Sequence, residues 1–166
     1  MVSADQYLST SYRPDRELID GELVERNTGE YEHSRLLSAL GAWIGNRQRE
    51  WKVRGLIAQR IRVAPGRYRV PDICLMSRDQ EIEQVFTRPP LVCIEVLSRE
   101  DSFRSIVERV DDYHSFGVPE IWLIDPAKPR AYVCSRRGFL EPEGGILEVP
   151  ASPIRIPLDE LFADLD

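Results

Sequence analysis

Two apolar stretches of this chain each carry a single carboxylate: Val70-Pro71-Asp72-Ile73-Cys74-Leu75 and Val92-Cys93-Ile94-Glu95-Val96-Leu97. Both read as strands buried on two faces. An isolated acid is disfavoured there unless it is paired, hydrogen-bonded or bound to a cation. Two such acids on consecutive strands are hard oxygen ligands suited to Mg2+ or Mn2+. An ion held there lowers the pKa of bound water and neutralises charge on a scissile phosphate. The same pattern fits two strand-end acids that cap nearby amides, and the spacing does not choose between the readings.

Positioning these acids is the work of the surrounding elements. Period-2 alternation predicts strands over residues 56–63 and 68–76. The register that keeps apolar residues together sets Ile61 opposite Val70 and Gln59 opposite Asp72, with Arg62 beside Arg69 on the other face. Gln59 is thus a candidate for positioning substrate, or a strand-end amide satisfied by water. Residues 80–85 read as one helical turn in a polar connection, and residues 91–97 as the second acidic strand. A helix over residues 102–116 ends at Gly117, with Pro119 just beyond. Its stripe of Phe103, Ile106, Val110 and Tyr113 places Arg109 beside the buried face, unless Arg109 pairs with Asp112 at the surface. Residues 120–126 form the next buried strand, so residues 91–125 make a β-α-β unit with a parallel crossover.

Upstream, Ser3 caps a short helix over residues 3–9. The Asp20-Gly21 step within residues 16–26 signals a β-hairpin. The helical pattern over residues 31–51 begins with His33, which either donates to nearby backbone or points into a site. Downstream, residues 131–135, 139–141 and 146–149 read as a β-meander. Residues 157–165 read as a terminal helical turn with Pro157 at its start.

At 166 residues the chain is read as one domain spanning 1–166. A net charge of −6 argues against a general nucleic-acid coat or a membrane-surface protein. It leaves room for a nuclease, because a carboxylate site lowers the total. Cys74, Cys93 and Cys134 lack paired spacing, which points to a reducing, cytoplasmic setting. No apolar run reaches the length of a membrane span, and residues 1–10 lack a signal-peptide pattern. Phosphate-binding glycine loops, nucleophile elbows and zinc spacings are absent from the sequence.

In order and spacing, several motifs together resemble the Uma-two type branch of the PD-(D/E)xK, restriction-endonuclease-like nucleases. They are Glu17-Leu18-Ile19-Asp20-Gly21-Glu22-Leu23, His33 opening the long helix, Val70-Pro71-Asp72 and Ile94-Glu95-Val96-Leu97-Ser98. The last runs from Tyr113 to Gly117-Val118-Pro119-Glu120-Ile121-Trp122-Leu123-Ile124-Asp125-Pro126. The resemblance covers roughly residues 5–135. It implies an α/β fold, a mixed central β-sheet flanked by helices, here with the N-terminal β-hairpin and the C-terminal β-meander. It also implies a Mg2+-dependent (or Mn2+-dependent) phosphodiesterase site. Asp72 and Glu95 would be the metal pair, the Val96 carbonyl an extra ligand, and Glu22 and His33 supporting members.

The sequence departs from that pattern at the lysine. Position 97 is Leu rather than the lysine of Glu-x-Lys, and Arg109 stands where the family places a lysine on the following helix. Lys52 and Lys128 are the only lysines, and neither is placed to substitute. Arginine can bind a phosphate in a fork but cannot serve as a base. The resulting expectation is a DNA endonuclease with Arg109 holding the phosphate. It would act as a homodimer, because cutting both strands takes two sites. The alternative is a catalytically impaired nuclease-fold module that binds nucleic acid or a protein partner.

Overall fold

The computed structural model describes residues 1–27 and 29–165. Ser3 opens helix α1 (Ala4–Leu8) with a capping box: its Oγ accepts from the Gln6 amide while Gln6 Oε1 accepts from the Ser3 amide. Strands β1 (Arg16–Ile19) and β2 (Glu22–Glu25) form the expected hairpin. Asp20 and Gly21 both take positive φ, 51° and 91°, as a two-residue turn of matching twist demands. Helix α2 (Tyr31–Arg47) follows and buries Leu36, Leu40 and Ile44.

Five strands come next: β3 (Val53–Ile57), β4 (Ile61–Ala64), β5 (Arg67–Arg69), β6 (Ile73–Ser77) and β7 (Val92–Val96). Helix α3 (Phe103–Phe116) is capped by Ser102 and closed by Gly117 at φ 101°, a left-handed position that glycine takes without a Cβ penalty. The chain then runs through β8 (Glu120–Asp125), β9 (Arg130–Ser135), β10 (Gly138–Leu140), β11 (Ile146–Glu148) and β12 (Arg155–Pro157) into α4 (Leu158–Ala163).

A six-stranded mixed sheet in the order β10-β9-β8-β7-β6-β3 is the centre, with β7 and β8 its parallel pair, joined through α3. The fold is thus the α/β class with a mixed sheet flanked by helices. Alternation along β7 sorts its side chains: Val92, Ile94 and Val96 pack with Leu36, Leu40, Ile44 and Leu161 from α2 and α4. Cys93, with Cys74 and Met76, faces Val110 and Tyr113 of α3 and Ile61 of β4. A second sheet, β2-β1-β5-β4, leans against α3, and β11 pairs with β12 separately. No helix among the described residues is long and apolar enough to cross a membrane.

Four expectations need correction. Residues 56–63 are not one strand: Ala58 adopts φ 54° and parts β3, in the large sheet, from β4, in the small one. Register then slips by one, so Ile61 faces Arg69 and Arg62 faces Tyr68, and the Arg62–Arg69 pairing does not exist. Residues 80–85 form no helical turn; the connection instead brings Phe86 to bridge Ile61. The meander stops at β10, because β11 leaves the sheet for β12, a strand the sequence reading lacked.

Close packing of α2 on β3 depends on Gly55. A Cβ there would sit 2.5 Å from Ile44 Cγ2, a branched atom with little freedom to retreat. Gly55→Ala is expected to destabilise the protein by about 1–3 kcal/mol through overpacking. A urea midpoint unchanged from wild type would show that α2 shifts freely.

Candidate active site

Asp72 follows Pro71 and precedes β6, while Glu95 is the fourth residue of β7. Antiparallel pairing of β6 and β7 matches Ile73 with Ile94, and one step further sets Asp72 against Glu95. Their side chains converge. Arg26 Nη2 donates to Asp72 Oδ1 at 3.1 Å and to Glu95 Oε2 at 2.8 Å, so two oxygens from neighbouring strands surround one nitrogen.

The remaining oxygens are held by fixed parts of the fold. Asp72 Oδ2 accepts from the Val96 amide at 2.8 Å and lies 3.5 Å from His33 Nε2. Glu95 Oε1 accepts from the Tyr113 hydroxyl at 2.6 Å. His33 stands on the first turn of α2, so the sequence-predicted histidine does reach the aspartate. Val96 reaches it too, through its N–H.

Arg109 also arrives beside the pair, 3.9 Å from Glu95 Oε1, but it is already engaged. Its two terminal nitrogens fork onto Glu17 at 2.6 and 2.9 Å. Glu17 is fully buried in β1 and also accepts from the Val70 amide at 2.8 Å and from Arg69 at 3.4 Å. Arg69 in turn donates to Asp112 at 2.7 Å. Asp112 is therefore the partner of Arg69 and Arg67, not of Arg109. Acids and bases alternate without a break from Asp112 through Glu17 and Glu95 to Asp72.

Two predicted site residues lie elsewhere. Gln59 Nε2 donates to the carbonyls of Arg60 and Gln84, because the break at Ala58 turns it toward the 78–90 connection instead of across from Asp72. Glu22 is exposed on β2, the edge strand, whereas Glu17 on the inner strand β1 is the hairpin acid that turns inward. Glu17 and Arg26 were the functional candidates missing from the sequence reading. Glu17 shares the hairpin motif with Glu22, and only the strand order separates the two. Arg26 sits in a polar loop with no periodicity to mark it.

Charges follow this wiring. Burial pushes Asp72 up, but the His33 hydrogen bond, the Arg26 charge and the Val96 amide outweigh it and hold the carboxyl below its ordinary range. Burial, reinforced by the Asp72 charge, instead pushes Glu95 up to about 7 against the pull of Arg26, Arg109 and Tyr113. Glu17 is buried as deeply, yet Arg109, Arg26 and Arg69 bring it below the usual value. The hydrogen bond to Asp72 raises His33 above a free histidine.

The donor set suits a hard divalent ion that keeps water. Asp72 Oδ1, just before β6, and Glu95 Oε2, on β7, converge, and among the described residues no group of three or more His, Cys, Asp or Glu side chains is placed to hold a metal ion. Mg2+ typically takes one or two carboxylates and fills its shell with water and phosphate oxygens. A cleft of about 430 Å³, lined by Tyr12, Arg26, Asn27, His33, Ile57 and Asp72, opens onto this point. A larger hollow of about 650 Å³ between α3 and β10 holds none of these acids and is not the site.

No curated protein matches the chain. Among solved structures, a crystal structure described as a putative nuclease belonging to DUF820, from Anabaena variabilis ATCC 29413, aligns over 100% of both chains. Its TM-score is 0.83 at 22% identity, which establishes a shared fold. The sequence profile of Uma2, described as "Putative restriction endonuclease", matches residues 5–162, nearly the whole chain. The chain belongs to the Uma2 family.

Proposed function

We propose that this protein is a Mg2+- or Mn2+-dependent endonuclease that hydrolyses phosphodiester bonds of DNA, with Asp72 and Glu95 as the ligands of the ion. One observation carries the reading: Asp72 Oδ1 and Glu95 Oε2 lie 3.1 and 2.8 Å from one and the same nitrogen, so they can share one cation. A bound ion would supply activated water and charge neutralisation at the phosphate. The Val96 amide and Tyr113 hydroxyl hold each carboxylate by its other oxygen and aim the free one. The Val96 carbonyl remains the proposed extra ligand.

Roles assigned from the family pattern shift. His33, a supporting member in that pattern, serves as a donor that orients Asp72. Arg109 is a positioning residue, its fork closed on Glu17 instead of open to phosphate. A homodimer would bring two such sites to the two strands of a duplex. Three buried free cysteines suit a cytoplasmic setting.

A second reading is favoured by Arg26, which spans both carboxylates: a catalytically impaired module that retains nucleic-acid or protein binding. Supercoiled plasmid separates the two. The enzyme reading expects nicking in Mg2+ or Mn2+ that chelation abolishes and that Glu95→Ala loses. Equal nicking by wild type and Glu95→Ala, or none by either, would overturn it.

A further inference from the structure

We infer that Arg26 is a built-in counter-cation, and that its guanidinium and a divalent ion are alternative occupants of the space between Asp72 and Glu95. This rests on the reading of those two acids as ion ligands. Its ground is steric and electrostatic. Mg2+ binds oxygen ligands at about 2.0–2.1 Å. Arg26 Nη2 stands at 3.1 and 2.8 Å from the same two oxygens, so ion and nitrogen would overlap. Removing the guanidinium without replacement leaves two buried carboxylates facing each other, with side-chain exposures of 12% and 6%.

The neighbouring arginines cannot take its place. Both terminal nitrogens of Arg109 are spent on Glu17, and Arg69 is spent on Glu17 and Asp112. Arg26 differs from them in attachment. Its contacts to the pair run through a single nitrogen, and it belongs to the loop after β2 rather than to a strand or helix. Its side chain lines the cleft together with Asn27 and His33. A displaced guanidinium therefore moves into the cleft, where a phosphate of the substrate would meet it as a bidentate partner. Meanwhile the acids keep their shape, because Val96 and Tyr113 hold their other oxygens. Ion binding thus exchanges one cation for another and delivers Arg26 to the substrate.

Mn2+ alone is the probe, read by electron paramagnetic resonance of free ion and by thermal melting, in wild type, Arg26→Met and Arg26→Lys. A competing occupant lowers apparent affinity by the fraction of protein left open. Arg26→Met is expected to bind Mn2+ about tenfold tighter than wild type. It should melt lower without ion and gain more in melting temperature from Mn2+. Arg26→Lys, which keeps the charge, is expected between the two. Equal or weaker binding by Arg26→Met overturns the inference while leaving the ion site standing. No binding by wild type or Arg26→Met overturns both.

Should Arg26→Met fail to fold, the wild type decides by nitrogen NMR of labelled arginine under Mg2+. The Arg26 guanidinium is expected to lose its exchange protection while Arg109 keeps its own. An Arg26 signal unmoved at saturating Mg2+ overturns the exchange.

Discussion

Glu17→Ala is expected to destabilise the protein by about 3–5 kcal/mol, because breaking a buried ion pair from one side leaves the opposite charge uncompensated. Glu17 has no solvent exposure, and its carboxylate is shared by Arg109, Arg69 and the Val70 amide. For a domain of this size the melting temperature should fall by on the order of 10 °C. Glu17→Gln is nearly isosteric but still leaves the arginines without their counter-charge, so it too should be costly at neutral pH.

Acidity offers a second check on the same group. Its folded pKa lies below the ordinary 4.5, so its contribution is complete above that value and is lost as pH falls through the folded pKa. The stability gap between wild type and Glu17→Gln should therefore be flat above pH 4.5 and narrow below it. Urea titrations from about pH 7 downward through the ordinary value of 4.5 measure this directly. A gap that widens on acidification would mean that Glu17 is not ionised in the folded protein.

Asp72→Ala is expected to behave in the opposite manner, with a large loss of cleavage and a small loss of stability. Ligation and charge neutralisation at phosphate are worth several kcal/mol in the transition state, so nicking should fall on the order of 10³-fold. The fold, by contrast, keeps most of its compensation. Arg26 retains Glu95 at 2.8 Å, Glu95 retains the Tyr113 hydroxyl, and Glu17 still holds Arg109. What is lost is the Val96 amide's acceptor, the Arg26 bond to Asp72 and the contact with His33, about 1–3 kcal/mol. A variant that keeps a tenth or more of wild-type nicking would remove Asp72 from the chemistry.

The two acids were legible in the sequence because an ionisable group inside an apolar run is rare enough to stand out. Only Glu95 lies within a strand, however: residues 68–76 divide into β5 and β6, and Asp72 sits in the step between them. The Asp20-Gly21 hairpin and the Gly117 helix end were legible for a similar reason: each demands a particular backbone conformation that few residues adopt. Register across residues 56–76 was not. It turns on Ala58 at φ 54° and on a shift between Arg62 and Ala64, and neither alanine advertises such geometry. One slipped residue exchanges every side chain between faces, and the break at Ala58 turned Gln59 away from Asp72. Glu17 and Glu22 sit in equivalent halves of one hairpin, and the choice between them depends on β5 pairing with β1 instead of β2. Arg26 gains its role only from contacts with residues 46 and 69 positions away, which no local pattern records.

Those separations have a kinetic side. The bond from Arg26 to Glu95 spans 69 positions and the fork from Arg109 to Glu17 spans 92, so each closes a long loop of chain. Loop closure must precede the reward of the contact, and long-range contacts form slowly for that reason. The hairpin of β1 and β2 and the helix α3 can form from local signals, but neither alone assembles a place for a cation. Only when the small sheet docks against α3 and β7 do Asp72 and Glu95 acquire Arg26, and Arg109 acquire Glu17. Supplying the acids with their counter-charge and completing the fold are consequently one event: a partly folded chain can pair β6 with β7 but leaves Asp72 and Glu95 without Arg26.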